Sequence, residues 1–147
     1  MSSRTGALVV VYADQLSPPP DGAVSLAFDV HTLGEARRMA ATEARMAGFG
    51  RARVEDVRLA VNELASNSIE HGAGRGMLRI WHRDHQLVCD VFDGGRLTTP
   101  VVDSPPTAPD SSRGRGLPLV SKVADEVFVR ITPDGTVFRA HFSLPPG

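Results

Sequence analysis

A short stretch of the chain, residues 61–71, carries a carboxylate, an amide and an imidazole at helical spacing. If the stretch is helical, Glu63, Asn67 and His71 stand at i, i+4 and i+8 on one line of its surface. That line runs beside a narrow apolar stripe, which is formed by Val57, Val61, Leu64 and Ser68. A carboxylate one turn from an amide on a cavity wall suits a general base beside a metal ligand. The same residues also fit the polar flank of an amphipathic helix with hydrogen bonds between successive turns.

An aspartate ends a strand pattern further along the chain. The predicted strand over residues 86–92 has three residues on one face, Leu87, Cys89 and Val91. The period of two places Asp93 on that face, directly before Gly94 and Gly95. A buried carboxylate needs hydrogen-bond donors from the protein or from a ligand. The alternative is an aspartate that only starts a turn, because Asp-Gly is a common turn pair.

A third signal is the glycine-rich segment Arg113-Gly114-Arg115-Gly116-Leu117. It follows residues 96–113, whose four prolines and weak periodicity are typical of an active-site lid. A helix is predicted over residues 117–124, with Pro118 in its first turn. Glycines at a helix start could hold a phosphate group through free backbone N–H groups.

The elements around these signals follow from periodicity and turn residues. A closing hairpin is predicted from strands 126–131 and 136–144, and it places the Thr136 hydroxyl at the mouth of the apolar layer. Thr32 is the expected N-cap of the first helix, with Glu35 as its capping-box partner. The other predicted elements are strands 7–14, 23–30 and 77–83, and helices from 32 to about 48 and from about 53 to 72. Three polar residues of the second helix are expected to face water, Asn62, Ser66 and Glu70.

Two further motifs give no site. The segment Gly72-Ala73-Gly74-Arg75-Gly76 resembles a dinucleotide fingerprint, but that motif requires a strand before the glycines and a helix after them. Here a helix precedes and a strand follows, so the glycines are expected to end the helix and turn the chain. His82 and His85 lack further ligands at metal spacing, and Cys89 is expected to be a small buried residue.

Composition limits the class of protein. The chain has 147 residues, which predicts a single domain over 1–147. A net charge of −1 argues against a general nucleic-acid binder. One cysteine cannot form an internal disulfide, and the longest apolar run, Ala7–Ala13, is too short to span a bilayer. We therefore expect a cytoplasmic protein without direct contact to membrane or nucleic acid.

Four signals occur in a fixed order: Glu63 with Asn67 on a helix, Asp93-Gly-Gly95 after a strand, Gly114-Arg-Gly-Leu117 after a lid, and Gly135-Thr136 at the start of the last strand. This order resembles the N, G1, G2 and G3 boxes of the ATPase family that includes gyrase, the heat-shock chaperone ATPase and sensor histidine kinases. The runs from Glu63 to Gly72 and from Gly114 to Val120, followed by Ala124-Asp125, look like bacterial anti-sigma-factor serine kinases.

The resemblance implies a two-layer α/β sandwich of the Bergerat type, in which helices cover one face of a mixed, mostly antiparallel sheet. It implies ATP and Mg²⁺ as cofactors, and two protein partners, a sigma factor and an anti-anti-sigma (STAS-type) protein. The implied activity is phosphorylation of a serine of the second partner. A nucleotide-gated binding module with little kinase activity is the alternative, and a homodimer is left open.

The resemblance also implies roles for individual residues. Asp93 would accept a hydrogen bond from the adenine amino group, Thr136 would assist, and Gly95 would let the base approach the backbone. Asn67 would bind Mg²⁺, and Glu63 would take the proton of the attacking serine. The remaining members of the implied nucleotide-binding set are His71, Gly114, Arg115, Gly116 and Leu117.

Two features depart from the family pattern. Arg96 and Leu97 stand where many relatives have another glycine at the lid entrance. Residues 1–22, read as a strand and a proline-rich linker, have no assigned role.

Overall fold

Six strands and three helices form the part of the chain that the computed structural model describes, namely residues 10–12, 16–94 and 112–144. In chain order they are β1 (Val10–Tyr12), β2 (Val24–Asp29), α1 (Leu33–Met46), α2 (Arg51–His71), β3 (Arg75–Arg83), β4 (Gln86–Asp93), α3 (Ser112–Val123), β5 (Glu126–Thr132) and β6 (Gly135–Ser143). The order of helices and strands agrees with the prediction from the sequence. Of the predicted strand over 7–14, only residues 10–12 are described.

All six strands belong to one sheet with the order β1-β5-β6-β4-β3-β2. β1 runs parallel to β5, and every other neighbouring pair is antiparallel. The hairpin between β3 and β4 turns at Asp84 and His85, which both have positive φ, as the two-residue turns that match strand twist require. The predicted mixed, mostly antiparallel sheet is confirmed.

The helices form the second layer. α1 and α3 both pack on α2, and α2 packs on the central strands β3 and β4. The core between the layers includes the alternating residues of the central strands, Leu78, Ile80, Leu87, Cys89, Val91, Phe138, Ala140 and Phe142. The predicted two-layer α/β sandwich is confirmed. Of the three described helices, even the 21-residue α2 lacks the continuous apolar character of a bilayer-spanning helix.

The α2 helix runs two residues further at its start than predicted, and its apolar stripe is buried as expected. The prediction that its opposite side faces water is wrong for Asn62 and Ser66, which are half-buried, whereas Glu70 is exposed as predicted. The side chain of Asn62 is half-buried rather than exposed, and its Oδ1 accepts a hydrogen bond from Arg37 Nη1 at 3.1 Å. Amphipathic spacing alone did not show that α1 packs against this side of α2.

The start of α1 differs from the predicted capping box. Thr32 stands at the N-cap but makes no side-chain capping bond. Its Oγ1 instead accepts a hydrogen bond from the Asp29 backbone N–H at 2.9 Å. The Asp29 carboxylate accepts from the backbone N–H groups of His31 and Thr32, at 2.8 and 3.2 Å. Because the bonds of this turn engage the threonine hydroxyl, the hydroxyl faces back along the chain and not toward the helix.

The first turn of α2 is held to the end of the sheet by Arg53. Its Nη2 lies 2.7 Å from Asp125 Oδ2, and its Nη1 donates to the Val123 carbonyl. The guanidinium also lies over the Phe142 ring, 5.2 Å from the centroid. Asp125 Oδ2 in turn accepts from the Ser143 backbone N–H at 2.6 Å. These contacts join α2 to the end of α3 and to β6, so the helix that carries Glu63 is fixed relative to both.

The α3 helix begins at Ser112, five residues before the predicted start at Leu117. Pro118 therefore lies inside the helix and not in its first turn, and Gly114, Arg115 and Gly116 are helical. The prediction was wrong because glycine costs a helix only about 1 kcal/mol relative to alanine and does not forbid it. Pro118 has no N–H to donate to the Gly114 carbonyl, so one bond of this helix is missing.

Candidate functional site

Asp93 is fully buried at the end of β4, on the face of the sheet that the helices cover. Its Oδ1 accepts a hydrogen bond from the Ala73 backbone N–H at 3.1 Å. Ala73 belongs to the short turn that follows α2. In this turn the N–H groups of Gly72 and Gly74 both donate to the Ser68 carbonyl. The carboxylate is therefore held against the end of the helix that carries Glu63 and Asn67. The predicted orientation of Asp93 into the interior is confirmed.

Two glycines make room for Asp93. A Cβ added to Gly72 would lie 1.6 Å from Asp93 Oδ2, and one added to Gly135 would lie 2.3 Å from the Asp93 carbonyl oxygen. Gly135 also has a φ of +148°, a backbone conformation that residues with a side chain rarely adopt. The residue is thus enclosed by backbone that approaches closer than any residue with a side chain would allow.

Thr136 is the direct cross-strand partner of Asp93 in the pairing of β4 with β6. Its side chain is buried on the same, helix-covered face. A carboxylate beside a hydroxyl offers one strong acceptor and one group that can donate or accept. This pair can recognise an amino group next to a ring nitrogen, as on the edge of adenine.

The line predicted along α2 leads away from Asp93. Asn67 is buried, whereas Glu63 and His71 are half-buried. Two polar atoms of this segment, Ser68 Oγ and His71 Nε2, are buried and make no hydrogen bond within the described part of the chain. Since buried polar groups usually have partners, these atoms are available to a ligand or to ordered water.

Among the described residues Glu63 makes one weak hydrogen bond, which Asn62 Nδ2 donates to its Oε2 at 3.5 Å. Asn62 is itself bonded to Arg37 of α1. The carboxylate therefore lies near the surface where α1 meets α2, one turn before Asn67. A half-buried carboxylate at this place remains accessible to a second molecule.

The glycine-rich segment forms the start of α3, which packs on α2. In an α-helix the first N–H groups, counted from the N-cap, have no acceptor within the helix, and in α3 they include those of residues 112–114. Gly114 is thus among the donors that the helix leaves open, whereas the N–H groups of Arg115, Gly116 and Leu117 stand at positions that bond within the helix. Of the predicted lid over 96–113, residues 96–111 lie outside the described residues, as does Gly95, and residues 112 and 113 belong to α3.

A buried serine in α3 was not anticipated from the sequence. Ser121 is 6% exposed and its Oγ has no hydrogen-bond partner among the described residues. The sequence pattern of an amphipathic helix gives a serine no preference for either face, so only the packing of α3 on α2 reveals this hydroxyl.

The donor set suits a magnesium nucleotide. Mg²⁺ usually takes one or two protein oxygens and completes its shell with water and phosphate oxygens. The buried amide of Asn67 can supply one such oxygen. The glycine-lined carboxylate of Asp93, held against the turn that follows α2, supplies an acceptor for a neutral amino group.

A cavity of about 530 Å³ lies next to this site and reaches it only at Ala73 and Gly94. Most of its wall comes from β2 and from the start of β3, including Ala27, Met77 and the edge of Phe92. These three side chains stand in one cross-strand row on the face of the sheet away from the helices. Phe28, which also lines the cavity, belongs to the core under the helices, so the cavity lies at the end of the sheet and borders the Asp93 site.

Comparison with known proteins gives a consistent result. Residues 26–142 match the model of the histidine kinase-like ATPase domain. Seventeen chains of solved structures match, among them the crystal structure of the RsbU and RsbW domains of Rv1364c from Mycobacterium tuberculosis. That match has a TM-score of 0.65 and 16% sequence identity, and it covers 87% of this chain and 34% of the other. The present chain thus spans about a third of that protein, and at this identity the likeness concerns the fold. No curated protein sequence matches the chain.

Proposed function

Because this chain belongs to the histidine kinase-like ATPase domain family, we propose that it binds Mg²⁺-ATP and phosphorylates a serine of an anti-anti-sigma protein. We further propose that it holds a sigma factor and releases it to the unphosphorylated competitor. The observation that supports the nucleotide site best is the enclosure of Asp93 by Gly72 and Gly135, beside Thr136.

In this proposal three positions along the C-terminal half of α2 have different tasks. Asp93 binds the adenine amino group and so fixes the base at the C-terminal end of the helix. Asn67 would hold Mg²⁺ through its amide oxygen, and the metal would neutralise charge on the phosphate groups. Glu63 lies one turn closer to the middle of the helix and takes the proton from the serine hydroxyl. The serine oxygen attacks the γ-phosphorus at the same time, and ADP leaves. Base catalysis of this kind contributes on the order of 10²–10⁴ to the rate.

The surface beside Glu63 supports a protein substrate. A groove of about 360 Å³ between α1 and α2 is lined by four arginines and one glutamate, Arg37, Arg38, Arg45, Arg58 and Glu55. Glu55 is paired with Arg58 at 3.0 Å, so the remaining charge of the groove is positive. Arg37 connects the groove to Asn62, the neighbour of Glu63. We propose that the partner presents acidic residues close to its serine.

Transfer of labelled phosphate from ATP to purified STAS-domain proteins of the source organism tests the proposal. The Glu63→Gln variant keeps the shape of the side chain and removes the base, so transfer should fall by about 10² or more. Its affinity for ADP and for the sigma factor should be retained. Glu35→Gln, which changes an exposed glutamate of α1, should transfer phosphate at the rate of the unmodified chain.

Two outcomes would change the account. If the unmodified chain binds ADP and a sigma factor but transfers no phosphate to any STAS protein, the chain is a nucleotide-gated binding module. If Glu63→Gln transfers phosphate as fast as the unmodified chain, another group takes the proton.

A further inference from the structure

Arg53, in the first turn of α2, joins its own helix to the end of α3. Its Nη1 donates to the Val123 carbonyl and also lies 2.9 Å from Asp56 Oδ2. Its Nη2 lies 2.7 Å from Asp125 Oδ2, in the turn that connects α3 to β5. The Arg53 side chain is only 24% exposed, so solvent screens these contacts less than it screens an ion pair on the open surface.

Two aromatic rings restrict the orientation of this guanidinium. Its central carbon lies 6.0 Å from the centroid of the Phe49 ring and 5.2 Å from that of the Phe142 ring. Both phenylalanines are buried in the core. An arginine that lies over aromatic rings and is hydrogen-bonded through two nitrogens has a fixed direction, which the point charge of a lysine does not reproduce.

Asp125 extends the contact to the sheet. Its carboxylate accepts a hydrogen bond from the Ser143 backbone N–H at 2.6 Å, and its own N–H donates to the His141 carbonyl at 2.8 Å. The turn after α3 is therefore bonded to the end of β6 by two hydrogen bonds. Arg53, Asp125 and the Val123 carbonyl are here called the α2–α3 clamp.

The α3 helix depends on contacts of this kind because its own sequence favours a helix weakly. It contains two glycines and Pro118, which are the least favourable residues in a helix interior. It packs mainly on α2, and its contact with the sheet is confined largely to β5. The last carbonyl groups of a helix have no donor within the helix, and a cation at that end is favoured by the helix dipole. Arg53 supplies both a donor and a cation to the end of α3.

The clamp and the start of α3 lie at opposite ends of the helix. Since α3 packs on α2 and ends beside its first turn, the two helices run in opposite directions. The 12 residues of α3 span about 18 Å, and the stretch of α2 from Arg53 to Asn67 spans about 21 Å. The start of α3, with Gly114, is therefore directed toward the part of α2 that carries Glu63 and Asn67.

We propose that Arg53 is a positioning residue of the nucleotide site and acts through α3. The clamp fixes the end of α3 to α2 and β6, and so sets the separation between the start of α3 and Asn67, where the phosphate groups of the nucleotide would lie. Recognition of adenine does not require the clamp, because Asp93 is bonded to the turn at the other end of α2. This role rests on the proposed nucleotide site, but not on transfer of phosphate to a partner protein.

Comparison of ADP with adenosine separates positioning from a general loss of structure. Arg53→Gln removes the charge and shortens the side chain. The variant should bind ADP about tenfold more weakly, which is the effect of one charged hydrogen bond to phosphate, and adenosine less than about twofold more weakly. A general loss of structure would weaken both ligands alike. Calorimetric titration of the full chain measures ADP, and competition with ADP measures adenosine.

Three variants connect the effect to the clamp. Arg53→Lys keeps the charge without the planar guanidinium and should recover part of the ADP affinity. Asp125→Asn removes the charge that is paired with Nη2 but keeps an acceptor for the Ser143 N–H, and it provides a second test if Arg53→Gln does not fold. Arg51→Gln makes the same change at an exposed arginine two positions earlier, so it should bind both ligands like the unmodified chain.

Hydrogen exchange without nucleotide tests the structural half of the proposal by itself. The backbone amides of residues 119–123 in α3 should exchange faster in Arg53→Gln than in Arg51→Gln, because the end of the helix has lost its anchor. The amides of β4 should exchange as slowly in both variants as in the unmodified chain.

The outcomes distinguish this role from the proposed function. An unmodified chain that binds ADP no more tightly than adenosine would show that the proposed phosphate contacts are wrong, and the clamp would then have nothing to position. An unmodified chain that prefers ADP, combined with equal changes or no change of both affinities in Arg53→Gln, would overturn the role of Arg53 and leave the nucleotide site intact. Unchanged exchange of α3 in Arg53→Gln would also overturn it.

Discussion

Replacement of Gly72 by alanine should disable the nucleotide site through a single steric contact. The new Cβ would lie 1.6 Å from Asp93 Oδ2 and 2.6 Å from its carboxylate carbon. Non-bonded heavy atoms essentially never lie within 3.0 Å of a Cβ, so the Asp93 carboxylate has to move by roughly 1.4 Å. The φ of Gly72 is −116°, outside the left-handed region, and the effect therefore comes from contact and not from backbone strain.

The size of the effect follows from what the movement breaks. Displacement of Asp93 removes its bond with the Ala73 N–H and misplaces the acceptor for the adenine amino group. A lost hydrogen bond to a charged group is worth about 1.5–3 kcal/mol, which lowers affinity by roughly ten- to a hundredfold. Forcing a methyl group into packed surroundings also destabilises the fold, by about 1–3 kcal/mol.

Calorimetric titration with ADP, beside urea unfolding of the same samples, measures both effects. Gly22→Ala is the control, because a Cβ at Gly22 meets no atom within 4 Å. That variant should keep the ADP affinity and the stability of the unmodified chain. A folded Gly72→Ala variant that binds ADP with unchanged affinity would refute the role given to the Asp93 carboxylate.

Two other changes test separate parts of the account. Asn67→Ala should weaken ATP binding mainly when Mg²⁺ is present, because Mg²⁺ has few protein ligands; equal losses in Mg²⁺ and in chelator, measured by titration, would mean that Asn67 only shapes the pocket. Burial lowers the pKa of His141 below its ordinary value of 6.5, so the fold favours the neutral ring. The stability that this ring contributes is therefore present above about pH 6.5 and is lost as the pH falls through the lower, folded-state pKa. His141→Gln should show a smaller loss of unfolding free energy between pH 7.5 and 5.5 than the unmodified chain, and an equal loss would exclude this histidine as the cause.

The arrangement of the site was predictable where a single periodicity determined it. The period of two along β4 placed Asp93 among Leu87, Cys89 and Val91, and all four are buried on one face. Burial also raises the pKa of the Cys89 thiol, as expected for a cysteine that serves as a small core residue. Helical spacing in the same way predicted the buried stripe of α2.

Features that depend on contacts between distant elements were not predictable. Nothing local to Gly72 shows that Asp93, twenty-one positions later, will lie against it, so the sequence suggested only a helix end. The Asn62 side chain was assigned to solvent because α2 was considered without α1. The start of α3 was misplaced because propensity is a weak term, which tertiary packing readily exceeds.

The face of the sheet away from the helices shows the same limit. Asp90 and Arg139 are forty-nine positions apart, and only the pairing of β4 with β6 brings them into a bidentate contact. A strand residue that points away from the core is usually predicted to be exposed, yet Asp90 and Arg139 are both buried. Residues 16–19 lie against this face because β1 joins the β5 edge, and no local pattern specifies that pairing.

The central claim is that the buried carboxylate of Asp93 reads adenine. Titration of the unmodified chain and of Asp93→Asn with ADP and GDP tests it most directly, since GDP has a carbonyl oxygen where ADP has the amino group. The unmodified chain should prefer ADP by about tenfold or more, and Asp93→Asn should bind ADP roughly ten- to a hundredfold more weakly and lose much of the preference. Equal binding of ADP and GDP by the unmodified chain, or unchanged ADP affinity in a folded Asp93→Asn variant, would contradict the claim.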